Sequence, residues 1–140
     1  MYIGSIEQSG LHHLIEELLE NAVNAHRYGN ATRIAVSHHD DGAVTVEYDG
    51  DGVSVEPKPA FQGRSFLEVA FTEWVGGGGT IKAAYDHHSM HYAGICVVPP
   101  LSRYCDVESH IDGHAWRMRF QQGQIVEPLT RRVTTSKTGL

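Results

Sequence analysis

The sequence predicts an α+β fold, a two-layer sandwich with helices on one face of a mixed, mostly antiparallel sheet. Three observations carry this. Leu11, Leu14, Ile15, Leu18, Leu19, Ala22 and Val23 recur at the i, i+3, i+4, i+7 spacing of one helical stripe. Residues 32–37 and 43–48 alternate as strands around HHDDG, whose Asp-Gly pair favours a hairpin turn. Residues 103–111 and 115–121 repeat that arrangement around Asp112-Gly113.

In chain order, Ser9 is placed to cap the first helix and Gly29 to end it. After the first hairpin comes a loop with Pro57 and Pro59, then a second helix over residues 65–75 that Gly76 to Gly79 stop. Four consecutive glycines predict a flexible flap there. Residues 90–98 are apolar and predict a short helix halted by Pro99-Pro100. Arg131, Arg132 and Lys137 make the end locally basic, as on a solvated strand edge.

The chain has 140 residues, enough for one domain spanning 1–140 with a real core. A net charge of -6 argues against general nucleic-acid binding, which needs a dense basic face. No apolar run reaches membrane-spanning length, and MYIGSIEQSG lacks signal-peptide form, so no membrane partner and a cytoplasmic location are expected. Cys96 and Cys105 lie in apolar stretches without metal-type spacing and read as buried free thiols.

Chemistry concentrates on the first helix, where His13, Glu17 and Asn21 are spaced by four with Glu20 and Asn24 alongside, on a face away from the apolar stripe. A carboxylate between a histidine and an amide suits a general base. A solvated polar face explains the same pattern, and the helix alone favours it. In TVEYDGDGV, Asp49 and Asp51 read as turn residues because an EF-hand ligand set is lacking. Ten histidines include His87, His88 and His91, yet no acidic or cysteine ligand completes a zinc set. GGGG lacks the lysine and Ser/Thr of a Walker A loop. Trp74 and Trp116 read as core or edge aromatics.

Taken in order, MYIGS, GLHHLIEELLENAVNAHRYG, DDGAVTV, DGDGV, FLEVAFTEWVGGGG and GQIVEPLTRRVTTSKTG resemble the N-terminal ATPase domain of DNA gyrase B, in the GHKL group. The likeness runs over almost the whole chain. It implies a Bergerat-type nucleotide fold in which Glu17 matches the general base for ATP hydrolysis and Asn21 the magnesium ligand. His13 also matches a histidine of the family's helix. The family's DNGRGIP becomes YDGDGVS, so Tyr48 stands where an aspartate accepts the adenine amino proton. The TGT threonine becomes Leu140, and a facing acid and arginine become Ala25 and Asp51. In the lid, GGLHGVG becomes HSMHYAG, where Ser89 and Tyr92 add side chains.

These departures lead the resemblance to imply a truncated member, without the family's dimerising arm or transducer domain and without strand passage. They predict lost adenine recognition and a pocket reused for cofactor-independent acid/base chemistry of isomerase, cyclase or lyase type on a small organic substrate in specialised metabolism. Glu17, His13, Tyr48 and His91 are then the catalytic candidates, and Asn21, Asp49, His87, His88, Tyr92 and Arg117 bind the ligand. No cofactor or metal is expected in that reading. The alternatives are a residual ATPase using ATP and Mg2+, and a non-catalytic interaction module. Open sheet edges predict a homodimer.

Overall fold

The computed structural model describes residues 8–27, 29, 31–73 and 94–140. Helix α1 runs Gln8–Arg27, so Ser9 lies within it rather than at its cap. Beyond its end, Gly29 takes φ 79° and its N–H donates to the His26 carbonyl at 2.9 Å, a left-handed stop that suits glycine. The stripe is buried at Leu14 and Ala22, with Ala25 buried beside it, but Val23 is 42% exposed. The buried line therefore passes through Asn21, Ala22 and Ala25 in the last turns, because the first hairpin covers that side.

Strands β1 (Ile34–His38) and β2 (Val44–Tyr48) pair antiparallel. Their turn forms as expected, with His39 N–H donating to the Ala43 carbonyl at 2.9 Å and Asp41 accepting from Ala43 N–H at 3.0 Å. Helix α2 spans Phe66–Thr72, and the Ser65 hydroxyl at its start accepts from Glu68 N–H at 3.2 Å. The expected extension to residue 75 and the glycine flap lie outside the described residues.

The expected stop at Pro99-Pro100 is corrected. A 3-10 turn, Ile95–Val97, leads into the short helix α3, Val98–Leu101, with the prolines in its first turn. First-turn N–H groups have no helical partner, so proline starts a helix there rather than breaking it.

Strands β3 (Tyr104–Ile111), β4 (His114–Gln121) and β5 (Gln124–Thr134) form an antiparallel three-stranded sheet in that order. Val107, Met118 and Phe120 point toward α2 and pack with Leu67, Ala70 and Phe71. The Phe71 and Phe120 rings stack with centroids 6.4 Å apart. Asp106, Arg117 and Arg119 occupy the other face, so the described helices cover one side of an antiparallel layer, the α+β arrangement expected.

The two sheets meet through residues 139 and 140. Leu140 exchanges both backbone bonds with Tyr48, at 2.9 and 3.1 Å, and Gly139 does so with His110, at 2.8 and 3.2 Å. Leu140 also packs against both main core clusters. Gly139 has φ 111°, and a Cβ there would lie 1.8 Å from the Tyr48 carbonyl oxygen. Gly139→Ala is therefore expected to lower unfolding free energy by about 2–3 kcal/mol, through strain and a forced separation of the two sheets. Urea unfolding measures this, and an unchanged midpoint would contradict the junction.

Candidate functional site

The site begins at Tyr48, the last residue of β2. Its ring is 8% exposed and sits among Ala22, Ala25 and Ala31. Small residues at those positions leave room for a ring between α1 and the hairpin. The phenol donates to the Asn21 side-chain oxygen at 3.0 Å. Asn21 itself is 3% exposed.

The expectation that His13, Glu17 and Asn21 share one polar face is corrected to a gradient: His13 exposed, Glu17 half-buried, Asn21 buried. Successive four-residue steps rotate about 40° around a helix, so such a line drifts toward whatever packs on it. His13 shares a hydrogen bond through Nδ1 with Glu16 Oε2 at 2.7 Å, so its bonded acid is Glu16 rather than Glu17. Burial raises the Glu17 carboxyl above its ordinary value, Glu20 and Glu16 add to that, and His13 opposes it. A raised carboxyl is a better proton acceptor than an exposed one.

The DGDG loop is held from two sides. Asp49 accepts from Thr32 N–H at 2.7 Å, Thr32 Oγ1 at 2.6 Å and Arg33 N–H at 2.6 Å. Its carboxylate thus ties the chain after α1 to the loop after β2. Those donors hold the Asp49 carboxyl below its usual value. A depressed carboxyl contributes stability that is full above the unfolded-state value near ~4 and is lost as pH falls through the folded one. Denaturation midpoints should therefore drop as pH falls below about 4. Asp49→Asn should flatten part of that slope, whereas an identical slope would remove Asp49 from the clamp.

On the other side, buried Ser109 accepts from Val53 N–H at 2.8 Å and donates to the Val53 carbonyl at 2.9 Å. Gly52, at φ 74°, passes so close to β3 that a Cβ would be 2.5 Å from the His110 carbonyl. The loop also borders an open hollow of about 440 Å³ lined by Thr32, Asp49, Asp51, Asp112 and Thr138. Three carboxylates there make the hollow unfavourable for an anion.

Arg117 is not brought to this set. It donates to Asp106 at 2.8 Å, beside Arg119, on the sheet face away from the helices. His87, His88, His91 and Tyr92, with Ser89 and Trp74, lie outside the described residues. Among the described residues no three His, Cys, Asp or Glu side chains converge as a metal-binding group. Cys96 and Cys105 are free and half-buried, and burial pushes the Cys105 thiol up to about 12. No described helix is long and apolar enough to cross a membrane.

Thr32 and Ser109 shape the loop, yet nothing in the local sequence marks them for it. Thr32 is 17 residues from its partner Asp49 and Ser109 is 56 from Val53. Only the alternation that puts Ser109 on the apolar side of its strand hints at a buried hydroxyl.

Comparison with known proteins accounts for this arrangement. The family model described as "Histidine kinase-, DNA gyrase B-, and HSP90-like ATPase" matches residues 6–98. The chain is 43% identical to the B subunit of the type 2 topoisomerase of Aquifex aeolicus over 99% of its length, which is 18% of that protein. It is 40% identical to the DNA gyrase B protein of Thermotoga maritima, again over 99% of the chain and 22% of the relative. The chain thus spans about a fifth of the relatives it matches. Among solved structures, the 43K ATPase domain of Thermus thermophilus gyrase B, in complex with an aminocoumarin, superposes with TM-score 0.82 at 34% identity, over 99% of this chain and 34% of that one. The expectation of a cofactor-free protein is overturned by these matches, because the matching family model and the superposing domain are both described as ATPases. The chain belongs to the family of histidine kinase-, DNA gyrase B- and HSP90-like ATPases.

Proposed function

We propose that the chain is a magnesium-dependent nucleoside-triphosphate-binding domain that hydrolyses slowly and has weakened selection for adenine. The observation that carries this is the placement of Glu17 and Asn21 one helical turn apart on α1, inside the segment matched by the ATPase family model. The two ends of a bound nucleotide are served differently.

The phosphate end fits. An amide oxygen has two lone pairs, so accepting from the Tyr48 phenol and coordinating a cation are compatible at Asn21. Tyr48 thereby fixes the amide orientation, oxygen toward the phenol. Glu17, half-buried with its carboxyl raised, orients a water and takes its proton as that water attacks the terminal phosphorus, breaking its bond to the bridging oxygen so that the nucleoside diphosphate leaves. Magnesium, when bound, neutralises charge on the phosphate oxygens.

The base end does not fit adenine in the family's way. A phenol that donates to Asn21 is no substitute for a carboxylate that accepts an amino proton, and Leu140 offers no hydroxyl. Selection among bases should then be weak. The family match favours nucleotide chemistry over the isomerase, cyclase or lyase reading, and Arg117, one of the ligand residues of that reading, sits on the opposite face of the sheet from the helices.

Thermal unfolding with millimolar nucleotide tests the proposal. MgATP is expected to raise Tm by several degrees, as binding at about 100 times Kd adds ~2.7 kcal/mol, and EDTA should abolish the rise. No shift, or one indifferent to EDTA, would overturn it.

A further inference from the structure

A single buried hydroxyl holds the far end of the loop that follows Tyr48. Residues 49–54 leave β2 at Asp49 and reach α2 through Ser54, whose carbonyl accepts from Leu67 N–H at 3.1 Å. Asp49 is fixed by its three bonds to Thr32 and Arg33. Between these anchors Gly50 and Gly52 take φ 141° and 74°, a backbone region that glycine enters without strain, so both can act as pivots.

Val53 stops the loop from turning on them. Its N–H donates to Ser109 Oγ at 2.8 Å, and its carbonyl accepts from the same hydroxyl at 2.9 Å. Ser109 is 0% exposed and Val53 2%. An apolar side chain at position 109 would leave both Val53 groups unpaired and out of water, which is costly. Loop and strand are also in direct contact, since a Cβ at Gly52 would lie 2.5 Å from the His110 carbonyl oxygen. Ser109 thus sets the distance of the loop from β3, as Asp49 sets it from the start of β1.

That distance matters because the Tyr48 hydroxyl is engaged with Asn21, so a nucleoside beside it is held by the shape of the cleft more than by a directed bond. Holding by shape needs walls that are already in place. A loop that is ordered only on binding subtracts its ordering entropy from the affinity. The phosphate end draws instead on Glu17 and Asn21 of α1, whereas both bonds of the Ser109 hydroxyl go to Val53.

We propose that Ser109 is a positioning residue for the nucleoside: by bonding both main-chain groups of Val53 it holds residues 50–53 as a fixed wall beside Tyr48, and it contributes nothing to the triphosphate. This rests on the nucleotide reading above and divides that ligand in two. The sugar and base sense Ser109, and a bare phosphate chain does not.

Ser109→Ala removes both bonds with little change in volume. Calorimetric titration of the 140-residue chain should find MgATP and MgGTP each about tenfold weaker in the variant, with magnesium tripolyphosphate within about twofold of the unsubstituted chain. Residue-resolved hydrogen exchange without ligand should be at least about tenfold faster at Val53 and unchanged at Thr32 and Arg33, whose N–H groups Asp49 holds. A residue that merely stabilised the fold would weaken the three ligands alike and speed exchange at all three amides. That result overturns the proposal, as does a variant that binds all three ligands as before. If the alanine chain does not fold, Ser109→Cys keeps the volume with a weaker hydrogen-bonding group and should show the same split at about threefold. An unsubstituted chain that binds none of the three would bring down the nucleotide reading and this role with it, whereas binding of all three with an even loss in the variant removes the role of Ser109 alone.

Discussion

Tyr48→Asp combined with Leu140→Thr should tighten MgATP binding by about tenfold to a hundredfold while leaving MgGTP within about threefold, equivalent to roughly 1.4–2.8 kcal/mol of new base recognition. The reason lies in donors and acceptors. In the present chain a phenol occupies the end of β2, its ring fills the space beside Ala22 and Ala25, and its hydroxyl donates a hydrogen bond to Asn21. An aspartate is smaller and accepts only, so it opens that space and faces an exocyclic amino group as a partner. The substitution should also lower Tm without nucleotide, because it removes a buried ring and leaves a carboxylate in a poorly hydrated place. Leu140, which packs against both core clusters, adds to that loss on becoming threonine. MgATP should restore part of it. Tyr48→Asp alone provides a check if the double variant is too unstable. Calorimetry that finds no gain for ATP over GTP in either variant would contradict the assignment of Tyr48 to the base end.

Glu17→Gln should reduce hydrolysis by a factor of about 10² to 10⁴ with MgATP affinity kept, the range for loss of a positioned general base. Stability should hold or rise slightly. The carboxyl is raised by burial and by neighbouring Glu20 and Glu16, so its charge is unfavourable in the folded state. For a carboxyl raised on folding, stability falls as pH climbs through the unfolded and folded values, and the neutral amide removes that dependence. A steady-state phosphate-release assay paired with thermal unfolding reads both quantities. Unchanged turnover would take the base role from Glu17, and a large fall in Tm would make it a structural residue.

Local chemistry made much of the fold legible. The Asp-Gly turns and the alternation around them placed both hairpins within a residue or two, and the leucine stripe with Gly29 placed α1. β5 was harder to see because Pro128, Glu127, Arg131 and Arg132 break the apolar alternation. An edge strand tolerates such residues, since one side of its ladder faces solvent. Val23 failed because an ideal stripe assumes a flat partner, whereas the hairpin wraps the last turns of α1 toward Asn21.

The candidate site was legible in its residues but not in its couplings. Glu17, Asn21 and Tyr48 stand out by type and by family likeness. That the Tyr48 phenol donates a hydrogen bond to Asn21, 27 residues away, depends on the packing of β2 against α1. Asp49 was expected to bind ligand, yet three donors from Thr32 and Arg33 surround its carboxylate. Arg117 was expected beside the pocket, but strand alternation sends it to the opposite face. One residue of register decides such a side, and the local sequence does not specify it.

The central claim is that Glu17 and Asn21 still hold a magnesium triphosphate while Tyr48 has made the base end indifferent. Calorimetric titration of the Glu17→Gln chain with MgATP, MgGTP and magnesium tripolyphosphate tests it most directly. Magnesium-dependent binding of all three is predicted, with the two nucleotides within about threefold of each other. A preference for ATP of thirtyfold or more, or no binding of any of them, would contradict it.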